Sequence, residues 1–176
     1  MELIKFSVDG KNIYLGIETE KNHFPLINDT AKVAEKFLSS VNPRKKIAFS
    51  RYPFPHVTVG SISISHKFIN RVKIILIAFS EDLSQLGVDL ELDTNNTRCL
   101  KILKRYGISS DLYEPVQLFG ILEAGVKYFS SKLTRRVYLN EIGLDNNLVY
   151  LRSLDDQNGY PLCLSFDKLR VSLVYK

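Results

Sequence analysis

The longest unbroken apolar run in the chain, Ile74–Phe79 (IILIAF), is only six residues long. That is far short of the ~20 residues a helix needs to cross a bilayer, and it reads as a buried strand. A buried strand commits its neighbours to a sheet. The remainder is globular in composition: 176 residues, 45% hydrophobic and 24% charged, enough for one domain or two small halves sharing a substantial core. The opening residues, MELIKFSVDG, put an acid at position 2 and lack a basic region followed by an apolar block, so they do not read as a signal peptide. Cys99 and Cys163 have no CxxC spacing, and His23, His56 and His66 are scattered. That excludes a sequence-visible zinc site and favours reduced thiols. The expected location is cytoplasmic, with no membrane partner.

Residues 2–7 and 12–18 alternate apolar and polar around Asp9-Gly10, the pattern of a hairpin. NDTAKVAEKFLSSVNP (28–43) predicts a helix. Asn28 to Thr30 offer N-caps, Val33, Ala34, Phe37, Leu38 and Val41 recur at helical spacing, and Pro43 follows the stop. A proline-punctuated segment, SRYPFPHVTVG, leads into the strands SISIS and KIILIAFS, and residues 86–92 form another. NNTRCLKILKRYG predicts a helix closing at Gly107; a second helix starts near Pro115 and runs to about Ser130. The tail reads as three strands, VYLNEIGL, LVYLRSL and YPLCLSFDKLRVSLVYK, joined by Asn- and Gly-bearing turns. The order is hairpin, helix, strands, then strand, helices, strands. It predicts an α+β fold with two similar halves, 1–85 and 86–176.

The formal net charge is +5 and the pI about 9.1, a balance that favours anionic partners. The bases fall in short clusters, RKKIAFSR (44–51), HKFINRVK (66–73), RCLKILKR (98–105) and KLTRR (132–136). A solvated face explains any one of them; only a shared location in the fold would make them a site. The stretch QLGVDLEL (85–92) alternates Val88, Leu90 and Leu92 with Asp89 and Glu91. Side chains repeat every second residue along a strand, so the two carboxylates share a face with their Cα atoms roughly 7 Å apart. That face is either solvated or half of a metal site. In the helix from Pro115, Glu123 and Lys127 fall one turn apart, opposite the apolar stripe. Glu four residues before Lys is the favoured exposed ion pair, worth a few tenths of a kcal/mol. Gly120 and Gly125 are costlier in a helix interior, about 1 kcal/mol each relative to alanine, and could let a ligand or another backbone approach.

The ordered set GSISISH (60–66), GVDLE (87–91) and FGILEAGVK (119–127) resembles the phosphopantetheinyl transferases, most closely the monomeric surfactin- and enterobactin-type enzymes. RYPFPHVTVG upstream and KLTRRVYLNEIGL downstream are similar to the flanking segments of that family, so the likeness spans about residues 44–142. The resemblance implies a pseudo-dimer of two α+β halves with coenzyme A in the cleft between them. It implies Mg²⁺-dependent transfer of the 4′-phosphopantetheine arm of coenzyme A to a serine of an acidic acyl, peptidyl or aryl carrier protein, with release of 3′,5′-ADP. By matching position, Asp89, Glu91 and Glu123 would hold the metal, and Glu123 could also accept the serine proton. Lys127 would neutralise a pyrophosphate oxygen. His66, with Ser65 before it, would bind the adenosine-side phosphates, and Arg51 the 3′-phosphate. Arg44, Lys45 and Lys46 are further candidates for the nucleotide, and Lys132, Arg135 and Arg136 for steering the carrier. Two halves in one chain make a monomer sufficient.

The sequence departs from the family pattern in three places. Leu122 stands where the family has a lysine before the glutamate, and Gly120 where it has Ser or Thr. GSISISH is two residues longer than the usual element, and no Arg-rich N-terminal segment is found. These departures motivate an alternative, a catalytically decayed relative that only binds coenzyme A or a carrier. A basic nucleic-acid-binding domain would explain the pI and aromatics such as Phe54, Tyr106 and Tyr113. It would not explain three acids at metal-compatible spacing, and no nucleic-acid partner is expected.

Overall fold

The structure is a computed structural model and describes residues 1–21, 29–50, 54–70 and 72–176. Arg51, His23 and the cap candidate Asn28 lie outside the described residues. Contacts divide the chain into two compact units, Met1–Leu86 and Gly87–Lys176.

In the first unit, β1 (Glu2–Val8) and β2 (Lys11–Lys21) form the antiparallel hairpin. Its turn residues, Asp9 and Gly10, are both left-handed at φ 51° and 76°, the geometry whose twist suits a two-residue hairpin loop. α1 (Asp29–Val41) follows, and Val33, Ala34, Phe37 and Leu38 are buried along one stripe. A short pair, β3 (Phe49–Ser50) and β4 (His56–Val57), precedes the long hairpin of β5 (Ser61–Ile69) and β6 (Val72–Ser80). The sheet order β1-β2-β6-β5 puts Ile74–Phe79 in a strand paired on both edges, which its apolar run demands. The α1 stripe packs on the sheet face that carries Ile62, Ile75, Ile77 and Phe79. Gly60, at the mouth of this hairpin, has φ +75°, and a Cβ there would fall on the Ser80 carbonyl oxygen. Only glycine meets both demands.

In the second unit, β7 (Leu86–Leu92) leads through a 3-10 turn into α2 (Asn96–Arg105) and then α3 (Pro115–Leu133). Pro115 occupies the first helical turn of α3, which continues past Ser130 to Leu133. The tail contains four strands rather than three: β8 (Ile142–Asp145), β9 (Leu148–Leu151), β10 (Asn158–Phe166) and β11 (Leu169–Tyr175). YPLCLSFDKLRVSLVYK is a hairpin, with Phe166 opposite Leu169 and Asp167 turning at φ 49°. The first tail segment becomes a strand only at Ile142, because Leu139–Glu141 coil into a 3-10 turn.

The sheet order is β7-β11-β10-β9-β8. α3 lies over it and buries Leu118, Ile121, Leu122, Ala124, Tyr128 and Phe129 against Ile142, Val149, Leu151 and Val174. Each unit therefore contains a strand, a helix and a hairpin whose last strand pairs with the first strand: β2-α1-β5-β6 in one, β7-α3-β10-β11 in the other. Among the described residues no helix is long and apolar enough to cross a membrane.

The glycines of α3 and β7 are explained by how near the helix lies to the sheet. A Cβ at Gly125 would come within 2.9 Å of the Val149 side chain. One at Gly120 would come within 2.6 Å of Ser172 Oγ, and one at Gly87 would fall on the Ala124 carbonyl oxygen of α3. The close approach is by the protein's own sheet. Because the atoms facing Gly87 are mostly backbone and cannot rotate away, Gly87→Ala is expected to destabilise the protein by about 1–3 kcal/mol, measured by urea unfolding. An unchanged midpoint would show that α3 sits further from β7 than described.

Candidate functional site

Of the two alternatives for the Asp89–Glu91 face of β7, the solvated one does not hold. Val88 and Leu90 are fully buried, and Asp89 and Glu91 are only 4% and 3% exposed. The Gly87-Asp89-Glu91 face lies under α3. Gly87 sits against Ala124 and Tyr128, Lys127 reaches Asp89, and Glu91 Cγ lies beneath Gly120. The strand thus runs opposite in direction to the helix above it, which gives each carboxylate its own turn of α3.

Lys127 donates to Asp89 Oδ1 at 2.7 Å and to the Val88 carbonyl at 2.8 Å. Its own side chain is 30% exposed. The second Asp89 oxygen, Oδ2, is buried. Asn95 Nδ2, just beyond the strand, donates to Glu91 Oε2 at 3.2 Å. Its neighbour Asn96 accepts from the Val116 backbone N–H at 3.1 Å, which ties the start of α2 to the start of α3. Arg170 pairs with Asp93 at 2.9 Å and fixes the end of β7 to the β10–β11 turn. Sequence reasoning missed Asn95, Asn96 and Arg170. A polar cluster directly after a strand, DTNN, is the signal that could have found the first two.

The other groups near this face are chemically quiet. Burial pushes the Tyr128 hydroxyl up to about 12, so it stays a neutral donor, to the Asn158 carbonyl at 3.2 Å. Burial also raises the Cys163 thiol, against a smaller opposing effect of its Ser172 contact. It is therefore a poor nucleophile.

Glu123 is half-buried on α3, one turn before Lys127. It lines an open groove of about 580 Å³ together with Tyr106, Phe119, Val126, Arg136 and Tyr138. Among the described residues no group of three or more His, Cys, Asp or Glu side chains stands in a metal-holding arrangement. What the structure brings together is Asp89 with Lys127 at one turn of α3 and Glu91 with Gly120 at another. Leu122, at the position of the missing lysine, is wholly buried in the core of this unit.

In the first unit, His66 is exposed on β5 and its ring stands edge-on to Phe68 at 6.0 Å. Ser65 is buried. The β5–β6 register is unbroken from Ser61 to Ile69, so Ser65 and His66 point to opposite faces of the sheet. Arg44, Lys45 and Lys46 are exposed and line an open groove of about 890 Å³ after α1. Lys45 is tied to Glu81 at 3.0 Å, and Asn42 and Lys45 together hold that carboxyl below its usual range. Lys132, Arg135 and Arg136 are exposed in the second unit. Arg135 pairs with Glu141 at 3.0 Å, and Arg136 stacks over Tyr138 at 5.5 Å. No protein-family model matches the chain, and no curated protein matches it.

Removing the ammonium from a buried carboxylate takes away a compensating charge. Lys127→Met is expected to lower stability by about 1–3 kcal/mol in metal-free buffer, with much of the loss recovered by the double variant Asp89→Asn/Lys127→Met. Equilibrium unfolding of the three proteins measures this. A Lys127→Met protein as stable as the parent would mean the contact is incidental.

Proposed function

We propose that the chain is a Mg²⁺-dependent phosphopantetheinyl transferase built as a pseudo-dimer, acting on coenzyme A and an acidic carrier protein. The observation that carries this is the desolvated pair Asp89 and Glu91 beneath α3 with Lys127 on one of them. Two buried carboxylates offer hard oxygen ligands, and Mg²⁺ takes one or two such groups plus phosphate oxygens and water. The donor set therefore fits the cation. The shared strand–helix–hairpin order of the two units supports the pseudo-dimer.

Asp89, Glu91 and Glu123 are the residues proposed to hold the ion, whose chemistry when bound is to draw charge off the pyrophosphate. Lys127 donates to Val88 and Asp89, and a third N–H is proposed for a pyrophosphate oxygen. The nucleotide phosphates are assigned to His66, Arg51, Arg44 and Lys46; Ser65, buried on the opposite face of β5 from His66, is left out of that set. The carrier serine hydroxyl attacks the phosphorus nearest the pantetheine, the bond from that phosphorus to the bridging oxygen breaks, and 3′,5′-ADP departs. Glu123 takes the hydroxyl proton, directly or through water. Lys132 and Arg136 are the bases proposed to attract the carrier, since Arg135 is engaged by Glu141.

A second reading is favoured by one observation: Leu122, in place of the lysine that the resembled enzymes carry, is committed to the core. It is a non-catalytic binder of coenzyme A or of a carrier. Mass spectrometry separates the two readings. Incubation with coenzyme A, Mg²⁺ and a carrier protein is expected to add one phosphopantetheine to the carrier, and the gain should disappear with chelator or with Asp89→Ala. Several carriers left unmodified while coenzyme A still binds would favour the binder.

A further inference from the structure

Two of the basic clusters in the sequence, 98–105 and 132–136, meet at one groove of the second unit. The groove is open and holds about 580 Å³; α2 lends Ile102 and Tyr106 to its lining, α3 lends Phe119 and Val126, and Arg136 and Tyr138 complete it. On a helix surface the neighbours of Ile102 are the residues four before and three after it. These are Arg98 and Arg105, both exposed, on a helix whose sequence contains no acid. Among the described residues the lining includes one carboxylate, Glu123, against Arg136 in the lining and the two arginines beside it. Tyr106 and Tyr138 are 43% and 57% exposed, unusual for large aromatic side chains. Phe119 and Val126 are half-buried and seven residues apart on α3, a rise of about 10 Å, or two helical turns.

We propose that this groove receives an acidic amphipathic helix of a partner protein. The apolar stripe of that helix lies along Phe119 and Val126, whose separation matches anchors at i and i+7, and its carboxylates pair with Arg98, Arg105 and Arg136. A strand of nucleic acid fits the same charge but not the same surface. It stacks its bases on aromatic faces, and the Tyr138 ring is already covered by Arg136 at 5.5 Å, while Ile102, Val126 and Leu139 make the lining largely aliphatic. The inference stands on the groove alone and uses neither the metal nor the transfer reaction.

The probe is a fluorescein-labelled helical peptide with leucines along one face and glutamates along the other. Fluorescence anisotropy with the whole chain is expected to show saturable binding, weakened roughly tenfold by Arg98→Glu/Arg105→Glu. Tyr106→Ala, which keeps every charge, should weaken it as well and guards against a charge variant that folds poorly. In wild-type protein with ¹³C-labelled methyl groups, the peptide should shift the Ile102, Val126 and Leu139 resonances. Affinity unchanged in either variant, or methyl shifts confined to other residues, overturns the proposal. So does a lack of saturable binding, or tighter binding of an oligothymidylate than of the peptide, which would make the surface one for nucleic acid.

Discussion

Carboxylates buried side by side on one strand need polar partners to replace the water they have lost, and Lys127 is one for Asp89 and Asn95 one for Glu91. Asp89 and Glu91 are held by β7 at a fixed spacing, and α3 must come down on them closely enough for Lys127 to reach. Gly87 permits that approach on the strand side and Gly120 on the helix side. Asn95 and Asn96 then join the end of β7 to Glu91 and to the start of α3. Packing and electrostatics are one problem here: the small residues exist so that the charged ones can meet.

Much of the fold was legible because its periodicities are clean. The apolar run at 74–79, the Asp9-Gly10 turn and the helical stripe at 33–41 each point to one local structure, and each formed it. The β10–β11 hairpin was not legible. Its turn falls at Asp167-Lys168, with no glycine to mark a residue at φ 49°. Sequence alternation left β7 open between a solvated face and half of a metal site, because a charge buried with a partner looks the same in sequence as a charge facing water. The partner is 38 residues away on α3, beyond any local window. Read alone, Glu123 and Lys127 look like an exposed ion pair; the Lys127 contact to Asp89 depends on tertiary packing.

The candidate site is less evenly supported across its residues. Asp89 and Lys127 are joined by a 2.7 Å contact, and Glu91 is buried on the same strand beneath Gly120. Glu123 lies on the wall of a groove with Arg136, whose lining includes none of Asp89, Glu91 and Lys127. His66 and Ser65 fall on opposite faces of β5 because consecutive strand residues must. Adjacency in the sequence GSISISH therefore does not translate into adjacency of the two side chains. Leu122 went into the core because its angular position on α3 lies beside Leu118 and Phe129.

The proposed function assigns a diphosphate-binding metal to the oxygen donors of Asp89 and Glu91. The decisive measurement is anomalous diffraction from crystals soaked with Mn²⁺ and coenzyme A. The account expects a metal peak between the Asp89 and Glu91 carboxylates with a diphosphate oxygen among its ligands. Coenzyme A bound with no metal at those two residues, or a metal bound elsewhere on the chain, would contradict it.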